Sequence, residues 1–155
     1  MECVFGNRTK AYKEGLKFIV DPDDYEKYVK KNSFQMNDNG YVRFGKGIKL
    51  HRVIMNVNDP KTDVDHINGN KLDNRKSNLR LCNRSQNCMN RGKPSNNSSG
   101  FKGVSFDKQK QKYHAYIKLN YKREHIGYFD TAEEAHQAYC KRASELHKDF
   151  ANFGQ

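Results

Sequence analysis

Apolar and polar positions change period several times along the chain, and each change marks an element. The clearest alternation lies in the last third. Tyr113, Ala115, Ile117 and Leu119 give a strand one apolar face, so His114, Tyr116 and Lys118 must share the other. Shorter runs of the same kind cover residues 101–106 and 123–129, and in the latter Arg123, His125 and Gly127 are expected to share a face. Thr131-Ala132-Glu133-Glu134 then reads as a capping box. Ala135, Ala138, Tyr139, Arg142, Ala143 and Leu146 continue at helical spacing, with alanines small enough to let the helix lie close on a sheet. Three short strands and one helix are predicted.

Upstream the signals are local. Asp21-Pro22-Asp23-Asp24 can open a short helix through Tyr25, Tyr28 and Val29, with proline and acids near its start. Residues 34–44 read as a hairpin around Asp38-Asn39-Gly40, because Asn-Gly accepts the positive φ of tight turns. Gly45-Lys46-Gly47 makes another turn before residues 48–55, and the whole stretch reads as a basic, partly β lead-in. Residues 63–90 then follow as strand, turn-rich loop, strand and short helix, the helix opening at Asn83-Arg84-Ser85-Gln86. Residues 92–100 are rich in turn and linker types. A linker over 93–99 is expected, separating a domain at 1–92 from one at 100–155.

Composition narrows the partner. Among 155 residues, 29 Lys and Arg outnumber 18 Asp and Glu, for a net charge of +11, and the excess is spread through sequence that looks folded. Neutralising phosphates with such residues supplies most nonspecific nucleic-acid affinity, so a polyanion is the expected partner. Only 35% of the chain is hydrophobic, so each unit has a modest core. No apolar run has the length of a membrane span, and the first residues lack the apolar core of a signal peptide. A cytoplasmic protein with no membrane partner is expected. Cys3, Cys82, Cys88 and Cys140 form no CxxC pair, which disfavours a four-cysteine zinc knuckle and points to reduced thiols. Cys82 and Cys88 flank the short helix, and with a histidine they are a minor zinc alternative.

The candidate chemistry is concentrated at 63–90. A histidine, with an ordinary pKa of about 6.5, is the side chain best matched to deprotonating a water near neutral pH, and His66 is the candidate general base. Asn87 follows Asp65 by 22 residues, close enough in a compact hairpin for both to share a divalent ion. One geometric condition applies. Neighbours in a regular strand point to opposite faces, so Asp65 and His66 can serve one site only if the strand ends or bends there.

Asp65-His66-Ile67-Asn68-Gly69-Asn70, Asn78-Leu79-Arg80 and Ser85-Gln86-Asn87 resemble the HNH nucleases, in the branch whose third signature residue is asparagine and which is common among phage-encoded homing endonucleases. The resemblance implies an α+β protein with a ββα-metal nuclease domain. It makes Asp65 and Asn87 the metal ligands, His66 the base and Asn78 the prop of the loop that orients it. An amide oxygen at Asn87 is a hard ligand and suits Mg2+ or Mn2+ rather than zinc. The pair His51-Arg52 stands where similar nucleases often carry His-Arg, and Arg52, with Lys46 and Lys49, is expected to track DNA phosphates.

Phe101-Lys102-Gly103-Val104, the run from Ile126 to Ala135, Ala138-Tyr139 and Asn152-Phe153 resemble the plant ethylene-response-factor (AP-two) DNA-binding domain. That family's three-stranded antiparallel sheet enters the major groove with its helix behind. Carried across, the DNA-facing positions are Lys102, Ser105, Tyr116, Lys118, Arg123 and His125. Several arginines and a tryptophan of the plant pattern are replaced here, so base preference does not carry over. Charge agrees with the sheet as the binding face: residues 102–123 hold seven basic residues and one acid, residues 131–149 three basic and four acidic.

The two resemblances together imply a phage-encoded, metal-dependent endonuclease of the homing type. It hydrolyses phosphodiester bonds of double-stranded DNA in the host cell. As a monomer it would nick one strand, and as a dimer it would cut both. The alternative is a DNA-binding regulator that keeps the nuclease fold as a silent scaffold.

Overall fold

Phe5, Phe18, Phe34 and Phe44 stand in a row of tilted rings 5.1–5.2 Å apart, and the first 83 residues are wrapped around them. The computed structural model describes residues 1–119 and 122–154. It is a mixed α/β structure of several small antiparallel sheets, and its contacts divide the chain into two compact units, Met1–Asn83 and Arg84–Gln155.

In the first unit β1 (Glu2–Val4) pairs antiparallel with β2 (Lys17–Ile19), setting Cys3 opposite Phe18 on the buried side. Between them α1 (Lys10–Lys13) is started by Thr9, whose hydroxyl accepts the Tyr12 N–H at 3.2 Å. The helix expected after Asp21 forms as α2 (Pro22–Asp24) and widens at once into a π turn over Tyr25–Val29, where Lys30 N–H reaches back to Tyr25 O. β3 (Phe34–Met36) and β4 (Val42–Phe44) make the expected hairpin, with Gly40 at φ 81° in its turn. β5 (Ile48–Lys49) adds a short third strand. The lead-in then becomes helical at α3 (Leu50–Ile54), because Leu50 and Ile54, one turn apart, are both buried in the core. β6 (Asp63–His66) pairs antiparallel with β7 (Leu79–Cys82), placing Asp65 opposite Arg80 and His66 opposite Leu79.

The second unit begins with α4 (Arg84–Met89), upstream of the linker expected at 93–99. The segment after α4 is bonded to more distant parts of the same unit. Lys102 Nζ donates to Met89 O at 2.9 Å, Asn152 Nδ2 to Asn90 O at 2.9 Å and Ser99 Oγ to Val104 O at 2.8 Å. Residues 93–99 are therefore anchored to the C-terminal fold, and the division falls about ten residues earlier, between Asn83 and Arg84.

β8 (Val104–Asp107), β9 (Lys112–Leu119) and β10 (Lys122–Phe129) form an antiparallel sheet with β9 central, and α5 (Ala132–His147) packs on it through Ala135, Tyr139 and Ala143. The capping box at Thr131 is complete: its hydroxyl accepts Glu134 N–H at 3.2 Å and its N–H donates to the Glu134 carboxylate at 3.3 Å. Ala115 and Ile117 are buried against the helix, as their alternation requires. β10 departs from strict alternation. A bulge between His125 and Gly127 sets Gly127 opposite Ala115 and Tyr128 opposite His114. Gly127 thus leaves the face of Arg123 and His125, and Tyr128 joins it.

Gly103 enters β8 at φ +75°, and a Cβ there would lie 2.2 Å from the Tyr139 ring. Gly103→Ala combines a left-handed backbone with a clash against a buried aromatic, each costing about 1–3 kcal/mol. Denaturant unfolding of the variant is expected to show the second unit destabilised by about 2–5 kcal/mol; a loss under 1 kcal/mol would show that Tyr139 can move aside.

Candidate active site

The strand β6 ends at His66, which is still paired with Leu79, and the chain leaves through a turn with Gly69 at φ 74°. The excursion from Ile67 to Asn78 has little regular structure, so its buried backbone groups must be satisfied by side chains. Asn78, itself buried, accepts Asn68 N–H at 3.0 Å and donates Nδ2 to Asp73 O at 2.8 Å. Asn68 Nδ2 donates to the Asp73 carboxylate at 3.1 Å, and that carboxylate is gripped by the Arg75 guanidinium at 2.7–2.8 Å, which holds it below the usual carboxylate pKa range. The loop is also joined to β2: Asn74 N–H donates to Ile19 O, and Ile19 N–H to Leu72 O, both at 2.8 Å.

Asn74 is fully buried, and its Oδ1 lies 3.4 Å from His66 Nε2 while its Nδ2 donates to Lys71 O. An oxygen facing Nε2 favours the tautomer protonated at that nitrogen. Burial lowers the His66 pKa, opposed by the Asn74 bond and by Asp65. His51 on α3 packs edge-on to His66 at 5.2 Å between centroids. It is buried, its Nδ1 has no hydrogen-bond partner among the described residues, and burial with the neighbouring His66 pulls its pKa down to about 3. Tyr41 lies against both rings, with Lys49 and Lys71 ammoniums 5.1 and 4.9 Å from its centroid.

Asp65 is buried and forms a largely buried ion pair with Arg80, Nε and Nη2 both reaching Oδ2 at 2.7–2.8 Å. Asp65, His66 and Asn78 thus gather in the first unit, while Asn87 lies on α4 of the second. A carboxylate with an amide oxygen is a donor set that fits a hard divalent cation, although a cation at Asp65 competes with the Arg80 guanidinium. Among the described residues, no three His, Cys, Asp or Glu gather to hold a metal.

The expected DNA contacts separate into two groups. Ser105, Tyr116, Lys118, Arg123 and His125 come together on the sheet face turned away from α5, with His114 and Tyr128 beside them. Arg123 lies 4.2 Å over the Tyr116 ring, and His114 Nε2 and His125 Nδ1 are 2.7 Å apart. Arg52 and Lys102 are placed differently. The Arg52 guanidinium donates to Thr62 O and Asp59 O at 2.7 and 2.6 Å, and Lys102 Nζ to Met89 O and Asn152 O. Their cationic heads hold their own units together. Sequence reasoning missed Asn74, Asp73 and Tyr41. The signal for the first two is the density of Asn and Asp over residues 68–78, more than turns alone require.

Removing the Asn78 amide leaves the Asn68 N–H and the Asp73 carbonyl without partners, a cost of about 1–3 kcal/mol. Asn78→Ala should lower the urea midpoint of the first unit accordingly, and an unchanged midpoint would remove Asn78 from the role of prop. His51 makes a second expectation. Its folded pKa lies below its unfolded value, so the unfolded chain binds more protons between about pH 3 and 6.5, and the stability present above 6.5 is lost as pH falls through that window, with a slope of at most about 1.4 kcal/mol per pH unit. Urea titrations from pH 7 to 4 should show a shallower decline for His51→Gln than for the wild type; equal slopes would count against the buried neutral imidazole.

The site's sequence has known counterparts. Residues 49–89 match the family model described as HNH endonuclease. The chain is 34% identical over 90 residues to protein 3.8 of Escherichia phage T7, covering 58% of this chain and 74% of that protein. It is 35% identical over 130 residues to the uncharacterized HNH endonuclease L560 of Acanthamoeba polyphaga mimivirus, covering 79% of this chain and 67% of the relative. No solved structure matches, and no helix among the described residues is long and apolar enough to cross a membrane. With its His66 loop inside the matched segment and viral relatives aligned over most of their length, the chain belongs to the HNH endonuclease family.

Proposed function

We propose that the protein is a metal-dependent endonuclease that hydrolyses phosphodiester bonds of double-stranded DNA, of the homing type, and that it works in the cell its virus infects. The observation that carries the reading is His66 at the end of β6, buried with Asn74 Oδ1 3.4 Å from its Nε2, an arrangement that supports Nδ1 as the basic nitrogen. That nitrogen takes a proton from the attacking water as its oxygen bonds to phosphorus and the bond to one sugar oxygen breaks. Asn78 and Asn74 are positioning residues that keep the ring in this orientation. By the family resemblance Asp65 and Asn87 hold one magnesium or manganese ion. Such an ion, when bound, neutralises charge at the phosphate and at the departing sugar oxygen.

The second unit serves to hold the substrate, as in the AP-two-like reading. Its exposed face of Ser105, Tyr116, Lys118, Arg123 and His125 supports docking on duplex DNA, with Lys118 and Arg123 on phosphates. The enzyme acts as a monomer that nicks one strand, and pairing of two copies gives a double-strand break. One observation favours a second reading. The Arg80 guanidinium already neutralises Asp65, which suits a DNA-binding regulator with a silent nuclease scaffold.

Cleavage of supercoiled DNA distinguishes them. In magnesium or manganese the wild type should nick or linearise the plasmid, EDTA should abolish the reaction, and His66→Ala should slow it by about 10²–10⁴-fold with binding retained. Tight binding without cutting in either metal would leave the regulator.

A further inference from the structure

The second unit contains a cleft of about 860 Å³, bordered by α4, the segment after it, α5 and the part of β9 that runs on beyond its last bond to Gly103. Arg91, Lys93, Lys102, Lys118 and Arg123 bring five cations to its wall, and among the described residues no Asp or Glu lines it. A phosphate is the complementary ligand. The interior is not uniformly polar, since Met89, Tyr116 and the buried Ile117 and Tyr139 also line it.

Lys102 sits at the base of this arrangement. Two of its three N–H donors are taken by Met89 O and Asn152 O, at 2.9 and 2.8 Å, which leaves the third for a ligand. Burial pulls its pKa down to about 8, a desolvation that an anion beside it would offset.

A duplex could meet the cations, but its bases are stacked inside and cannot enter an apolar interior. An unpaired strand carries a phosphate and an open base face together, and a cationic groove with aromatic walls is the arrangement that takes both. We propose that this cleft binds an unpaired nucleic-acid strand, with a phosphate on Lys102, Arg91 and Lys93 and a base against Met89, Ile117 and Tyr116. The proposal rests on the nuclease reading for its role, since the strand end at a nick can fray from its complement and be held.

The cleft shares Tyr116, Lys118 and Arg123 with the sheet face, whereas Arg91 and Lys93 are exposed and lie outside that face, so they are the positions that test the cleft by itself. Fluorescence anisotropy with the full chain in EDTA, using labelled oligothymidylate and a blunt duplex, tests it without any cleavage. The double variant Arg91→Glu, Lys93→Glu should weaken oligothymidylate binding about tenfold or more and make the slope of log K against log salt shallower by about 1.4, two single-strand phosphate contacts. Duplex affinity should fall clearly less than oligothymidylate affinity, through the general loss of positive charge alone. Unchanged oligothymidylate affinity, or an equal loss for the duplex, would overturn the proposal. Photocross-linking of an iodouridine-substituted strand to the wild type gives a second measure, expected to mark Tyr116 or Met89; marking confined to the first unit would also overturn it. Cleavage with no oligothymidylate binding would sink the cleft and keep the nuclease, and the converse result would do the reverse.

Discussion

A loop that leaves a strand, stays partly buried and returns with only a short 3-10 turn and a single bridge must find other hydrogen-bond partners for its backbone, and the structure of the first unit depends on how residues 67–78 solve that problem. The solution is a set of short amides. Asn78 spans the loop, Asn68 and Asn70 cap its turns, and Asn74 ties it to β2 while presenting an oxygen to His66. The catalytic candidate is thus oriented by the same bonds that let the loop exist. A change at Asn78 would reach His66 through those same bonds.

This constraint also decides how much of the site is legible in the sequence. The strand, loop, strand and helix order of residues 63–90 can be read directly, because alternation and cap residues act over a few positions. The chain of C-terminal strands and helix is legible for the same reason. The features that escape are long-range. Asn74 reads as one more turn residue, because its role depends on Ile19, 55 positions earlier. α3 is obscured by a short run of mixed basic and apolar residues whose helical period spans a single turn. The division between the units is expected at a loop rich in Ser, Asn and Gly, whereas the hydrogen bonds of Asn97 and Ser99 make that loop part of a fold. Composition describes a segment's freedom only when its side chains have nothing to bind.

Charge gives a similar mixture. A net charge of +11 identifies the class of partner but not the residues that meet it. Arg52, Arg75 and Arg80 each hold a carbonyl or a carboxylate of their own unit, and Lys102 bridges two carbonyls. Basic residues in a small protein with modest cores have two uses. Long cationic side chains carry several donors and can fasten loops that apolar packing is too sparse to hold. Lys118 and Arg123 differ because β9 and β10 aim them away from α5.

The single extra residue in β10 has a consequence for how this surface can diversify. Because a bulge at Ile126 brings His125 and Tyr128 to the same side, the identity of the outward face is encoded in strand length as well as in residue type. Substitutions at 125 or 128 would retune the surface one position at a time. Loss of Ile126 would restore plain alternation and leave Tyr128 on the same side opposite His114, whereas a strand that kept every residue but lost the bulge would turn Tyr128 inward in one step. Point changes are gradual here, and the bulge itself is the switch of face.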